Sequence, residues 1–177
     1  LAGFRHVIDQ LRIPVCLAWN AGDLLPDDHP QFIGRPGTVG DRAGNFALQN
    51  SDFALVLGCR LNIRQIGYEF RAFAHHAYRV HVDIDEAELA KPTVFPDMSV
   101  HADVATFLRD MRSELEAARP TRRREEWLAW CRGLKRRYPV SPERWNEGGP
   151  VDPYVFIRLL CRHLRDGDIV VCANGTA

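Results

Sequence analysis

Apolar residues between positions 2 and 11 recur at helical steps, and Pro14 breaks the pattern just before Val15-Cys16-Leu17-Ala18-Trp19, a short run that suits a buried strand. A stretch dense in Gly, Pro and Asp follows, from Asn20 to Gly40. Residues 41–50 predict a helix, with Ala43, Phe46, Ala47 and Asn50 at helical spacing. Phe53 to Gly58 is a continuous apolar run closed by glycine, the pattern of a strand buried on both faces. Tyr78 to Ile84 predicts another strand, ending in Asp83-Ile84-Asp85, with a short helix starting at Glu86. Residues 102–118 predict an amphipathic helix, since Val104, Phe107, Leu108, Met111 and Leu115 fall at three- and four-residue steps. Strands alternating with helices imply a parallel sheet in an α/β layered fold.

Beyond Pro120 the character changes. Residues 121–137 predict a basic amphipathic helix with Trp127, Trp130 and Leu134 on one side, and Tyr138 to Pro150 is polar and rich in Pro and Gly, as a linker is. A new unit begins at Val151. It opens with an Asp152-Pro153 helix start, continues through Val155, Phe156, Leu159 and Leu160, turns at Asp166-Gly167 and enters an expected strand Ile169–Cys172. The expected domains are therefore 1–118, 119–150 as basic helix and interdomain linker, and 151–177 as the start of a second α/β domain. An opening helix with no strand before it, and a closing strand that leads into a small-residue turn, make the chain an expected internal stretch of a longer one.

Composition narrows the function classes. The 177 residues balance 23 Lys+Arg against 23 Asp+Glu, with 46% hydrophobic and 26% charged residues, an ordinary globular balance. No run approaches the ~20 apolar residues of a membrane helix. Neutrality is a cancellation: residues 1–110 carry 10 basic and 14 acidic side chains, and residues 119–137 carry 8 basic and 2 acidic. One short basic patch without a recognition motif argues against a nucleic-acid partner. The five cysteines, Cys16, Cys59, Cys131, Cys161 and Cys172, form no C-x-x-C pair, so they read as reduced, buried thiols of a cytoplasmic protein rather than a zinc site. His75, His76 and His81 lack a carboxylate spaced to complete a metal site.

The block DHPQFIGRPGTVGDRAGNFALQNSDFALVLGCRL, followed by YRVHVDIDEAELAKP, resembles the middle domain of thiamine-diphosphate-dependent enzymes of the acetolactate synthase type, over roughly residues 1–110. The closing DGDIVVCANGTA resembles the entry strand of that family's C-terminal, pyrophosphate-binding domain. The family usually has Gly-Met-His-Gly where this chain has Gly34-Arg35-Pro36-Gly37, and relatives acting on sugars are similar to the GRPGT and NGTA elements. The resemblance implies a Rossmann-like parallel sheet with flanking helices, followed by the first helix and strand of a second α/β domain. It also implies thiamine diphosphate and Mg²⁺ in the whole enzyme, FAD or ADP in the middle domain, and a homodimer or homotetramer. The implied reaction is decarboxylation of a 2-oxo acid such as pyruvate, with transfer of a two-carbon unit to a keto acceptor. The glutamate and the Gly-Asp-Gly…Asn run that this chemistry requires are absent from these residues, so no catalytic residue and no metal ligand is assigned.

Each candidate cofactor contact has a plainer alternative. Gly58 and Arg60 follow a strand, where a nucleotide can approach the backbone and a guanidinium can pair with a diphosphate; the alternative is a strand-ending glycine beside a solvated arginine. Asp83 and Asp85 flank Ile84, and alternation places both carboxylates on one face, where the family holds the nucleotide half of its ligand. The alternative is that Asp85 caps the helix at Glu86, with Glu88 at its third position. Asp103 is a family candidate for an adenine contact, or simply a helix-start charge. The segment Gly34 to Asn45 is implied to run along the cofactor's diphosphate, or is a flexible surface loop. Asn174, Gly175 and Thr176 are implied to cup the diphosphate of thiamine diphosphate. Two rival functions remain: a non-catalytic nucleotide-binding module, and a sirtuin-like NAD-dependent deacylase, which the missing zinc cysteines disfavour.

Overall fold

The computed structural model describes residues 2–115, 122–141 and 149–171. The chain forms two compact units, residues 1–138 and 139–177. The first unit opens with helix α1 (Ala2–Leu11), which buries Val7 and Ile8. It stops where Arg12 turns left-handed, at φ 51°, ahead of Pro14. The buried Gln31 amide donates to the carbonyls of Ile8, which also accepts the Arg12 N–H, and of Ile13, at 2.6 and 3.1 Å, and so ties the end of the helix to the residues that follow it.

Strand β1 (Val15–Cys16) pairs in parallel with β2 (Phe32–Gly34). The run expected to continue to Trp19 is shorter, because Trp19–Ala21 winds into a 3₁₀ turn. Helix α2 (Arg42–Gln49) leads to β3 (Phe53–Leu57), then α3 (Ile63–Ile66), β4 (Tyr78–Asp83), α4 (Glu86–Ala90), β5 (Met98–His101) and α5 (Val104–Leu115). Strands β3, β4 and β5 form a parallel sheet in that order, with Leu55 opposite Val80 and Asp83 opposite His101. The Rossmann-like α/β class read from the sequence is the observed one. Strand β3 departs from the expected burial on both faces: it has one neighbour strand among the described residues, and Phe53 is 50% exposed. The central strand β4 takes that role, with Val80, His81, Val82 and Asp83 all buried.

Helix α6 (Arg122–Arg137) carries the predicted basic segment. It packs on α2 and β2 inside the first unit, where Leu128 and Cys131 join Ile33, Ala43 and Ala47 in one apolar cluster. Residues 119–150 thus divide at Tyr138. Trp127 and Leu134 border the cluster as their spacing predicts, whereas Trp130 is 45% exposed and stacks on Trp127 at 4.8 Å.

In the second unit, helix α7 (Pro153–Cys161) starts as predicted: Asp152 accepts from the N–H groups of Tyr154 and Val155. Residues 169–171 lie outside any strand, with Ile169 and Val171 largely exposed. A strand exists only where a neighbour takes its N–H and C=O groups, and no described residue does so here. Cys172, Asn174, Gly175 and Thr176 lie outside the described residues. Cys161 is exposed, against the expectation of buried thiols.

Candidate functional site

The carboxyl ends of β3, β4 and β5 meet at one edge of the sheet, where open parallel sheets bind their ligands. Gly58 ends β3 in the left-handed region, at φ 53°, with its N–H donated to the carbonyl of Val82 at 2.9 Å. A side chain there would begin 3.2 Å from Cγ2 of Val104, and Gly58 itself is exposed. The backbone is therefore exposed at this turn.

Asp83 ends β4 and is only 6% exposed. Its Oδ1 accepts the N–H of Asp85 at 2.9 Å. Asp85 is exposed, and its own Oδ1 accepts the N–H of Ala87 at 2.9 Å, capping α4. The shared face expected for the two carboxylates is not formed, because the strand stops at Asp83 and its two-residue alternation stops with it. The capping alternative is correct for Asp85, which still keeps an oxygen with no described partner. At β5, the His101 ring is 2.9 Å from the carbonyl of Ile84, and the N–H of Ala102 donates to the carbonyl of Asp83 at 3.0 Å. Asp103 caps α5 by accepting from Thr106 N–H at 3.0 Å.

Arg60 is not simply solvated. Its Nε donates to Oε1 of Glu88 at 2.5 Å, and Lys91 Nζ donates both to Oε2 of Glu88, at 2.6 Å, and to the carbonyl of Arg60. The bonds from Lys91 and then Arg60 hold the Glu88 carboxyl below its ordinary value. His81 is 2% exposed, and its Nε2 is 3.0 Å from the carbonyl of Cys59, so that nitrogen carries the proton. Burial pushes the His81 pKa down, against the raising effect of the Cys59 carbonyl and Asp83. Sequence reasoning missed the roles of His81, Lys91 and His101. The signal available for His81 was a polar residue inside an apolar run with neighbours on both sides.

The segment Gly34–Asn45 is built rather than loose. Arg35 N–H donates to Oδ2 of Asp41 at 2.7 Å, Gly37 exchanges two bonds with the Asn45 amide, at 2.9 and 3.0 Å, and Thr38 N–H donates to the Arg64 carbonyl. A side chain on Gly37 would begin 2.5 Å from that carbonyl. The structure thus brings Gly58, Arg60, Asp83, Asp85 and Asp103 to one sheet edge. Among the described residues no group of three or more His, Cys, Asp or Glu side chains could hold a metal ion, and no helix is long and apolar enough to cross a membrane.

Comparison with known proteins gives a match to the family described as thiamine pyrophosphate enzyme, central domain, over residues 2–111. The chain is 34% identical to the acetolactate synthase isozyme 1 large subunit of Escherichia coli, over 98% of this chain and 30% of that protein. It is 32% identical to a probable acetolactate synthase large subunit of Methanocaldococcus jannaschii, over 89% of this chain and 26% of the relative. It is 30% identical to the probable acetolactate synthase 2, chloroplastic, of Oryza sativa subsp. japonica, over 96% of this chain and 26% of the relative. The chain therefore spans between a quarter and a third of the length of these relatives.

Proposed function

Because the chain belongs to the thiamine pyrophosphate enzyme family, whose central domain it carries, we propose that it serves an acetolactate synthase-like carboligase. Such an enzyme decarboxylates pyruvate or a related 2-oxo acid and passes the two-carbon unit to a keto acceptor. The observation that carries this reading is the family match across residues 2–111, continued by relatives named as acetolactate synthases over nearly the whole chain.

Thiamine diphosphate, with Mg²⁺, would supply the carbanion-stabilising chemistry when bound. Residues 174–176 are its proposed contact in this chain. The described residues have a different task, to hold a nucleotide, FAD or ADP, at the carboxyl edge of β3–β5. Gly58 allows close approach, Arg60 faces the diphosphate, Asp85 has an oxygen for a ribose hydroxyl, and Asp83 and Asp103 brace the turns beneath. We further propose a homodimer or homotetramer in the cytoplasm, a location that suits the four free cysteines among the described residues.

The activity is tested on the gene product that carries this chain, supplied with pyruvate, thiamine diphosphate and Mg²⁺. Release of CO₂ with formation of an acetolactate-type product is expected, and failure to consume pyruvate or any other 2-oxo acid overturns the reading. The nucleotide site is tested by calorimetry with FAD and ADP on the wild type and on Asp83→Ala and Arg60→Ala. Equal binding in all three removes the assignment.

A further inference from the structure

Arg60 stands at the proposed diphosphate position with its side chain 77% exposed, yet it is anchored. Its partner Glu88 is only 12% exposed and has both oxygens engaged, one by Arg60 Nε and one by Lys91 Nζ. Lys91 also holds the carbonyl of Arg60, and the buried His81 holds the carbonyl of Cys59. Two consecutive carbonyls and the guanidinium are thus fixed by side chains from β4, from α4 and from Lys91 just past the end of α4.

A guanidinium has five N–H donors, and Glu88 takes only the one on Nε. The four on the two Nη groups form the forked end that meets two oxygens of a phosphate in parallel. An exposed arginine normally loses rotamer freedom when it captures an anion, and a carboxylate that fixes it beforehand removes that loss. Isolated surface ion pairs contribute little. This carboxylate differs because it is largely buried and itself held by an ammonium.

We propose that Glu88 is a positioning residue of the nucleotide site, acting through Arg60, which it presents as a preset fork to the diphosphate of a nucleotide lying across the strand ends. This rests on the nucleotide-binding reading above. Lys91 and His81 set the main chain from which the fork projects.

The test is calorimetry on the whole chain with ADP, adenosine and inorganic phosphate, using wild type, Glu88→Gln, Arg60→Ala and the double variant. Glu88→Gln is expected to weaken ADP on the order of tenfold, to leave adenosine unchanged, and to add no loss in the Arg60→Ala background. An equal loss for adenosine, or the same loss in both backgrounds, shows that Glu88 acts on the fold and overturns the proposal. Arg60→Lys, a change at an exposed side chain, is the second arm: it keeps the charge and lacks the fork, so wild-type ADP affinity in it overturns the proposal as well. Phosphate binding as tightly as ADP would reduce the site to a simple anion site and remove the nucleotide. If ADP binds and Glu88→Gln changes nothing, only this inference falls. If the wild type binds neither ADP nor adenosine, the nucleotide reading falls, and the inference with it.

Discussion

Gly58 and Gly37 do different work at the residue scale. Gly58 sits at φ 53°, where a side chain costs about 1 kcal/mol, and its added Cβ would press on the movable Cγ2 of Val104 at 3.2 Å. Gly37 has backbone in the way: its Cβ would lie 2.5 Å from the Arg64 carbonyl oxygen. Urea unfolding should therefore show Gly58→Ala losing roughly 1–2 kcal/mol and Gly37→Ala losing more. His81 gives a pH signature. Its folded pKa lies below the ordinary 6.5, so the unfolded chain takes up the proton first as pH falls. Its contribution is complete above pH 6.5 and is lost as pH falls from there toward the folded value. The urea midpoint should drop in that window, and His81→Gln, which keeps an N–H for the Cys59 carbonyl, should flatten the drop. The cap at Asp85 was legible because it is local. The Arg60–Glu88 pair, 28 residues apart, was not.

Helix α6 shows what periodicity conveys at the scale of an element. Its helical span and the inward side of Trp127 and Leu134 follow from their spacing, but Trp130, expected on that side, is exposed, and the buried members are Leu128 and Cys131. The docking surface comes from α2 and β2, some ninety residues earlier in the chain. Burial there pushes the Cys131 thiol up to about 12, and burial first, then Cys131 and Asp41, pushes Cys16 up to about 12. Cys161 on α7 is exposed. Mass spectrometry after brief iodoacetamide treatment near neutral pH should find Cys161 modified first and Cys16 and Cys131 protected until urea is added, because the thiolate is the nucleophile. Early labelling of Cys131 would contradict the packing of α6.

At the scale of the whole molecule, all three apolar clusters among the described residues lie within residues 1–138. A chain cut after Tyr138 should unfold in one cooperative transition. A chain cut after Leu115 loses Leu128 and Cys131 and opens Ile33, Ala43 and Ala47, and its melting should fall steeply, by the several kcal/mol that a lost core face costs. Equal stability of the two truncations would exclude α6 from the core. The sequence alone determined the α/β class, the long helices, the capping aspartates and the strand ends at Gly58 and Asp83, because each depends on near neighbours or on a simple period. Tertiary structure decided the rest. It chose β4 over β3 as the strand buried on both sides, turned Asp83 inward and Asp85 outward, built the Gly34–Asn45 segment into a fixed turn, and joined Arg60 to Glu88. Those outcomes depend on which distant segment comes to lie alongside, and no local pattern of residues carries that information.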